Sequence, residues 1–233
     1  MPTGIITGAS RGLGLALART LARHGWGLVL DARGAADLER VARELGAITE
    51  VVAVTGDVSE AWHRGALVEA AGDQIDLLVN NASVLGPSPQ PALSHYPLGE
   101  LERVYRVNVI APVALTQMVL PRMPDGGCIV NVTSDAAVQP YDGWGGYGSS
   151  KAALEQVSAI LAAEQPALRV YAVDPGDMRT RMHQEAFPGE DISDRPPPEE
   201  SVPGLVALIE GTLASGRYRA RELPDRDADA VRA

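Results

Sequence analysis

The sequence predicts one doubly wound α/β domain, a parallel sheet with helices on both faces. Three observations carry this. Strand-like and helix-like segments alternate from Gly4 to Arg221, with no internal repeat and no second block of composition. The strand-like segments are continuous aliphatic runs, as in sheets covered on both faces, not the apolar–polar alternation of a half-wetted sheet. The 233 residues are 45% hydrophobic but only 4% aromatic, so the core must come from Ala, Val, Leu and Ile. That length suits a single sizeable core.

The elements follow in order. Gly4 to Thr7 reads as a first strand, and a Gly-rich turn leads into a helix from Leu13 to Arg23. Gly27 to Leu30 is a second strand, Asp37 to Leu45 a helix, and Glu50 to Val54 a third strand. A helix from Glu60 to Ala71 and a strand from Ile75 to Val79 come next. A long helical stretch spans Leu98 to Leu120, followed by a strand at Cys128 to Val132, a helix at Gly146 to Glu164 and a strand at Arg169 to Val173. The segment Asp174 to Glu200 interrupts the alternation with Pro175, Pro188, Pro196, Pro197 and Pro198, and a loop so long is expected to serve as a substrate lid. A helix at Val202 to Ala214 and a strand at Arg217 to Arg221 complete the domain, 1–222, and 223–233 is expected to be a mobile tail.

Charge excludes several functions. A net charge of −10 argues against nucleic acid, which selects a basic surface, and against a polybasic membrane anchor. No apolar run is expected to reach the roughly 20 residues of a membrane span, and no signal peptide is visible before the first strand. Cys128 is the one cysteine. It lies in a core strand and reads as a small buried hydrophobe. The expected compartment is the cytoplasm. His24, His63, His95 and His183 have no metal-ligand spacing. His183, in the lid, is expected to be an exposed loop histidine.

Two motifs carry chemistry. Of twenty basic residues, nineteen are Arg and one is Lys151, four positions after Tyr147. Residues four apart share one helix face, and the compact ammonium there is expected to lower the Tyr147 pKa from about 10. A tyrosine so tuned serves as a general acid or base. The second motif is Thr7-Gly8-Ala9-Ser10-Arg11-Gly12-Leu13-Gly14, between the first strand and the first helix. Its glycines let a pyrophosphate approach the backbone, and the helix N-terminus favours the anion, so dinucleotide binding is expected.

With these motifs in order, the chain resembles the short-chain dehydrogenase/reductase family, in its short single-domain branch. The resemblance also rests on Asp57-Val58, Asn80-Asn81-Ala82, Asn108, Ser134 and Pro175-Gly176 with Thr180. Ser83 and Asp174 depart from the family's usual Gly and Asn, and the family's frequent Gly-Gly segment after the last strand is missing. The resemblance implies a Rossmann-type fold and hydride transfer between a nicotinamide and a ketone or alcohol. Tyr147 would protonate the alkoxide, Ser134 would hydrogen-bond the same oxygen, and Lys151 would hold the nicotinamide ribose. Asn108 would break its helix and hold a water that relays protons to Lys151. Gly8, Ser10, Arg11, Gly12, Leu13, Gly14, Arg33, Asp57, Val58, Asn81, Ala82, Pro175, Gly176, Met178 and Thr180, with Tyr147 and Lys151, would line the cofactor.

Cofactor choice turns on the end of the second strand. Asp31 nearly meets the rule of an acid for the ribose 2′-hydroxyl of NAD, yet NAD-preferring relatives carry the acid one residue later, where this chain has Ala32. A one-residue shift reverses the side chain's face. Arg33 and Arg11 suit a 2′-phosphate, so NADP(H) is expected. Tyr141, Trp144, Met182 and Phe187, with Met178, are candidate walls for a partly apolar carbonyl substrate. The alternatives are an NAD-dependent alcohol dehydrogenase and a non-catalytic dinucleotide sensor on the same fold. Helices apolar on more than one face, and the resemblance itself, lead us to expect a homodimer or homotetramer.

Overall fold

A computed structural model describes residues 1–223; the tail expected beyond Leu223 lies outside the described residues. Seven strands form one parallel sheet in the order β3-β2-β1-β4-β5-β6-β7. They are β1 Thr3–Ile6, β2 Gly27–Ala32, β3 Val51–Thr55, β4 Leu77–Asn80, β5 Cys128–Val132, β6 Arg169–Asp174 and β7 Gly216–Arg219. The helices are α1 Gly12–Arg23, α2 Ala35–Leu45, α3 Ala61–Ala71, α4 Leu98–Tyr105, α5 Ala111–Val119, α6 Gly145–Glu164, α7 Arg181–Ala186 and α8 Val202–Ile209.

Side-chain alternation divides the core between the two faces of the sheet. Ile6, Leu28, Leu30 and Val130 point to the face covered by α1, α2 and α8, where Leu17, Leu21, Leu38 and Leu205 are buried. Their neighbours Ile5, Val29 and Ile129 point to the other face, against Leu67 of α3 and Leu115 and Val119 of α5. Each such side chain contributes about 1.5–3 kcal/mol by burial. Strand order reverses between β1 and β4, so a crevice opens at their carboxyl ends, where ligands bind in open α/β sheets.

One expectation is met and two are corrected. As the resemblance implied, the long helix breaks at Asn108: a π turn at Arg106–Ile110 separates α4 from α5. Pro112 explains it: it has no N–H to give the Asn108 carbonyl four residues earlier, and the Ala111 N–H bonds back to Arg106 instead. The stretch Leu98–Arg122 is long and apolar enough by composition to cross a bilayer, contrary to the expectation, yet half of its apolar window is buried within the domain. The last helix ends at Ile209 and not at Ala214. The Arg169 guanidinium accounts for this by donating to the carbonyls of Leu208, Ile209 and Gly211 at 2.7–2.9 Å, which closes the helix C-terminus. The long segment Asp174 to Glu200 contains α7, whose first turn is capped by Thr180 Oγ1 accepting the His183 N–H.

Candidate active site

The glycine turn is built for close backbone approach. Gly8 and Gly12 have φ of 68° and 57°, which L side chains avoid. A Cβ at Gly14 would lie 2.5 Å from the Gly8 carbonyl, so only glycine lets α1 pack against the turn. The neighbouring β4 end holds the turn in place. Asn81 Nδ2 donates to the carbonyls of Thr7 and Gly8, and Thr7 Oγ1 accepts the N–H groups of Asn81 and Ala82 at 3.0 Å. No side chain caps the N-terminus of α1, so its first N–H groups are free for an anion.

One cleft of about 790 Å³ runs from this turn along the carboxyl edge of the sheet. Gly8, Ser10, Arg11, Gly12, Leu13, Arg33, Asp57, Val58, Asn81, Ala82, Pro175, Gly176, Met178 and Thr180 line it, and so do Ser134, Tyr147, Lys151, Trp144 and Met182. Of the expected residues, Gly14 lies beneath the turn and Asn108 beneath the floor. Tyr141 and Phe187 stand outside the lining. Tyr141 is exposed, and Phe187 packs on Trp144 with ring centres 5.9 Å apart. His183 is not the exposed loop residue expected. It lines the cleft with a side chain 10% exposed, and burial lowers its pKa.

The catalytic candidates converge at the ends of β5 and α6. Tyr147 and Lys151 are both buried on the inner face of α6, and Lys151 Nζ lies 5.4 Å from the Tyr147 ring centre. Lys151 Nζ donates to the Val132 carbonyl at 2.7 Å, and burial pushes its pKa down to about 7. The expected lowering of the Tyr147 pKa by Lys151 is corrected: burial first, then the carboxylates of Asp174 and Asp135, raise it, while the Ser134 hydroxyl pulls the other way. Burial and the two carboxylates thus favour the neutral phenol of Tyr147 over the phenolate. Asn108, in the π turn, donates from Nδ2 to the Val84 carbonyl and to Ser150 Oγ. Its Oδ1 accepts from the Val84 N–H and from the Ser83 hydroxyl. The departure Ser83 thus adds a bond to Asn108.

Asp135 was not singled out in the sequence, and Asp174 and Asp31 were singled out without the partners they have here. Asp135 stands next to Ser134, and its Oδ1 accepts the Ser134 hydroxyl at 2.9 Å. Adjacency to Ser134 was the available signal. Asp174, buried, accepts the Gly176 N–H at 2.9 Å and meets Arg217 at 3.5 Å. Asp31 is buried at the edge of the cleft lining. Its Oδ1 accepts the Gly8 N–H and its Oδ2 meets His63 Nε2, both at 2.8 Å. No local signal pairs Asp31 with His63, which come together only because α3 packs under β2. Cys128 is buried and its thiol is pushed up to about 12, as befits an inert core residue.

A free helix N-terminus behind a glycine turn, joined by one cleft to a buried Tyr, a Ser and a Lys, defines an NAD(P)-dependent oxidoreductase on a Rossmann-type fold. The chain belongs to the short chain dehydrogenase family, whose model matches residues 3–191. Sepiapterin reductase of Meriones unguiculatus is 37% identical over 199 residues, covering 78% of this chain and 76% of its own. The benzil reductase ((S)-benzoin forming) of Saccharomyces cerevisiae is 37% identical over 193 residues, covering 78% of this chain and 73% of its own. Among solved structures, a short chain dehydrogenase of Shigella flexneri complexed with NADP superposes with a TM-score of 0.83 at 29% identity, covering 94% of this chain and 97% of its own.

Proposed function

We propose that the protein reduces a ketone or aldehyde with NADP(H), and runs the reverse alcohol oxidation, with Tyr147 as general acid and base. The observation that carries this reading is a buried Tyr147 beside Ser134 and Lys151, on the same cleft as the free N-terminus of α1. The cofactor supplies the hydride. Tyr147 gives its proton to the carbonyl oxygen, and Ser134 hydrogen-bonds that oxygen as charge develops on it. Lys151 would meet the nicotinamide ribose, and Asn108 would keep the π turn open, with its backbone carbonyl free for a relay water.

Preference for NADP is supported by the occupation of Asp31, whose two oxygens are engaged by Gly8 and His63 inside the protein. Arg33 and Arg11, both exposed at the cleft mouth, make no ion pair among the described residues, so both are available to a 2′-phosphate. We read the segment 174–200 as a lid, since Met178, Thr180, Met182 and His183 all line the cleft. We assign the protein to the cytoplasm as a homodimer or homotetramer. The test is a screen of carbonyl compounds with both reduced cofactors, followed at the nicotinamide absorbance. Faster turnover with NADPH is expected. Faster turnover with NADH would return the 2′-hydroxyl role to Asp31, and cofactor binding without turnover of any carbonyl would favour a sensor.

A further inference from the structure

Ser134 has one proton to give, and in this structure Asp135 takes it. The Ser134 hydroxyl donates to Asp135 Oδ1 at 2.9 Å and accepts the Ala136 N–H at 3.2 Å. Asp135 Oδ2 accepts the Tyr141 hydroxyl at 2.8 Å. Tyr141 is exposed and also reaches Gln139, so it is not held to Asp135 alone. Asp135 lines the cleft, is partly buried, and makes no ion pair among the described residues. Of the charged groups around it, Arg219 is a cation in electrostatic reach, and its guanidinium is hydrogen-bonded to Glu222. Asp174 is a second carboxylate, already bonded to Gly176 and Arg217. Arg217 itself is directed to Glu155, to Asp174 and to the Ser134 carbonyl.

This arrangement sets a condition on the substrate. For Ser134 to stabilise a developing alkoxide, its proton must turn from Asp135 to the substrate oxygen. Asp135 Oδ1 then loses its donor in a place with limited access to water, which is unfavourable for a carboxylate. A substrate that carries its own donor beside the carbonyl removes this conflict. The two oxygens of a 2-hydroxy ketone lie about one hydrogen-bond length apart, matching the 2.9 Å between Ser134 Oγ and Asp135 Oδ1. Building on the reductase reading above, we propose that Asp135 determines specificity. The preferred substrates are carbonyl compounds with a hydroxyl or amino group on the neighbouring carbon, whose donor binds Asp135 while the carbonyl accepts from Ser134 and Tyr147. Reduction forms a C–H bond from the nicotinamide hydride and an O–H bond from the Tyr147 proton, and the C=O π bond breaks. The reduced cofactor is oxidised, and solvent returns a proton to Tyr147. The neighbouring hydroxyl or amine is unchanged, so the product is a vicinal diol or amino alcohol. A 2-keto acid, which sets a carboxylate against Asp135, is rejected.

The test compares three four-carbon substrates with NADPH: 3-hydroxybutan-2-one, butanone and 2-oxobutanoate. The wild type should favour the hydroxy ketone over butanone in kcat/KM by about tenfold or more, because a site built to pair a substrate hydroxyl discriminates against the analogue lacking it. Asp135→Ala should bring the two ketones within about threefold of each other, with butanone itself improved because the Ser134 proton is released. Asp135→Asn removes the charge at nearly the same shape and should raise 2-oxobutanoate by about tenfold. A ratio of the two ketones unchanged in Asp135→Ala, in protein that still binds NADPH, overturns the proposal and leaves the reductase reading intact. Absence of turnover with all three compounds in a wild type that reduces other carbonyls in the screen overturns the proposal and leaves the reductase reading intact. If Asp135→Ala does not fold, the keto-acid response of Asp135→Asn decides, and no gain there overturns the proposal.

Discussion

Tyr147 combines a buried hydroxyl with two nearby carboxylates, and that combination fixes its resting form. Both burial and the carboxylates oppose the phenolate, which suits the proton donor proposed above. Tyr147→Phe removes only the hydroxyl that carries that proton. Turnover should fall by about 10²–10⁴-fold, while NADPH binding, read by quenching of tryptophan fluorescence, stays within about threefold because no cofactor contact but the hydroxyl is lost. Lys151 gives a second expectation. Its pKa of about 7 is depressed by burial, so its charge is present below that pH and lost above it. The kcat/KM for carbonyl reduction should therefore decline as pH rises through about 7. Lys151→Arg, which stays charged, should be slower at every pH and lack that limb. A decline of the same form in the variant would assign the titration elsewhere. Arg33→Ala should weaken NADPH by about 1.5–3 kcal/mol, the value of a charge-assisted contact, and leave NADH nearly unaffected. Equal losses for both cofactors, measured by titration, would show that Arg33 does not meet the 2′-phosphate.

At the scale of elements, the site depends on two departures from regular helix. Pro112 opens the π turn that sets Asn108 beneath the floor of the cleft. The second is the closed end of α8. Arg169, at the start of β6, satisfies its last carbonyls and also donates to the Gly126 carbonyl. This one side chain ties α8 to the sheet edge next to β7, which carries Arg217. Arg169→Met keeps the aliphatic stem and removes the donors. It should cost about 1–3 kcal/mol in urea unfolding, the penalty for leaving buried acceptors unpaired. An unchanged midpoint would mean that water satisfies those carbonyls equally well.

At the scale of the whole molecule, the π turn, α5 and α6 each leave a large apolar side chain exposed. Ile110, Met118 and Ile160 are 57%, 37% and 48% exposed. Ile160 lies on the same helix as Tyr147 and Lys151, so a second copy packed there would brace that helix from outside. Sedimentation at micromolar concentration should give at least twice the 24.5 kDa of one chain. Ile160→Glu should shift the population to monomer, because a carboxylate in an apolar contact must be desolvated without a partner. A wild-type monomer would remove the oligomer from the proposal.

The sequence by itself determined what depends on local order and spacing. Continuous aliphatic strands required a sheet covered on both faces. The glycines from Gly8 to Gly14 required a turn that admits phosphate, and the four-residue step from Tyr147 to Lys151 placed both on one face of a helix. The family followed from the succession of these motifs along the chain. Even the helix break was written locally, in Pro112 four residues after Asn108. Only the tertiary structure decided what depends on direction and burial. The packing of α3 under β2 brings His63, 32 residues away in sequence, to the second oxygen of Asp31, a contact no local pattern shows. The sign of the Tyr147 shift was likewise out of reach. It depends on how deeply α6 is buried and on carboxylates delivered by the ends of β5 and β6, whose distances no spacing within one segment encodes. Asp135 was visible as a neighbour of Ser134, but which way its carboxylate faces is set by the turn after β5. That orientation decides whether the Ser134 proton is free or already held.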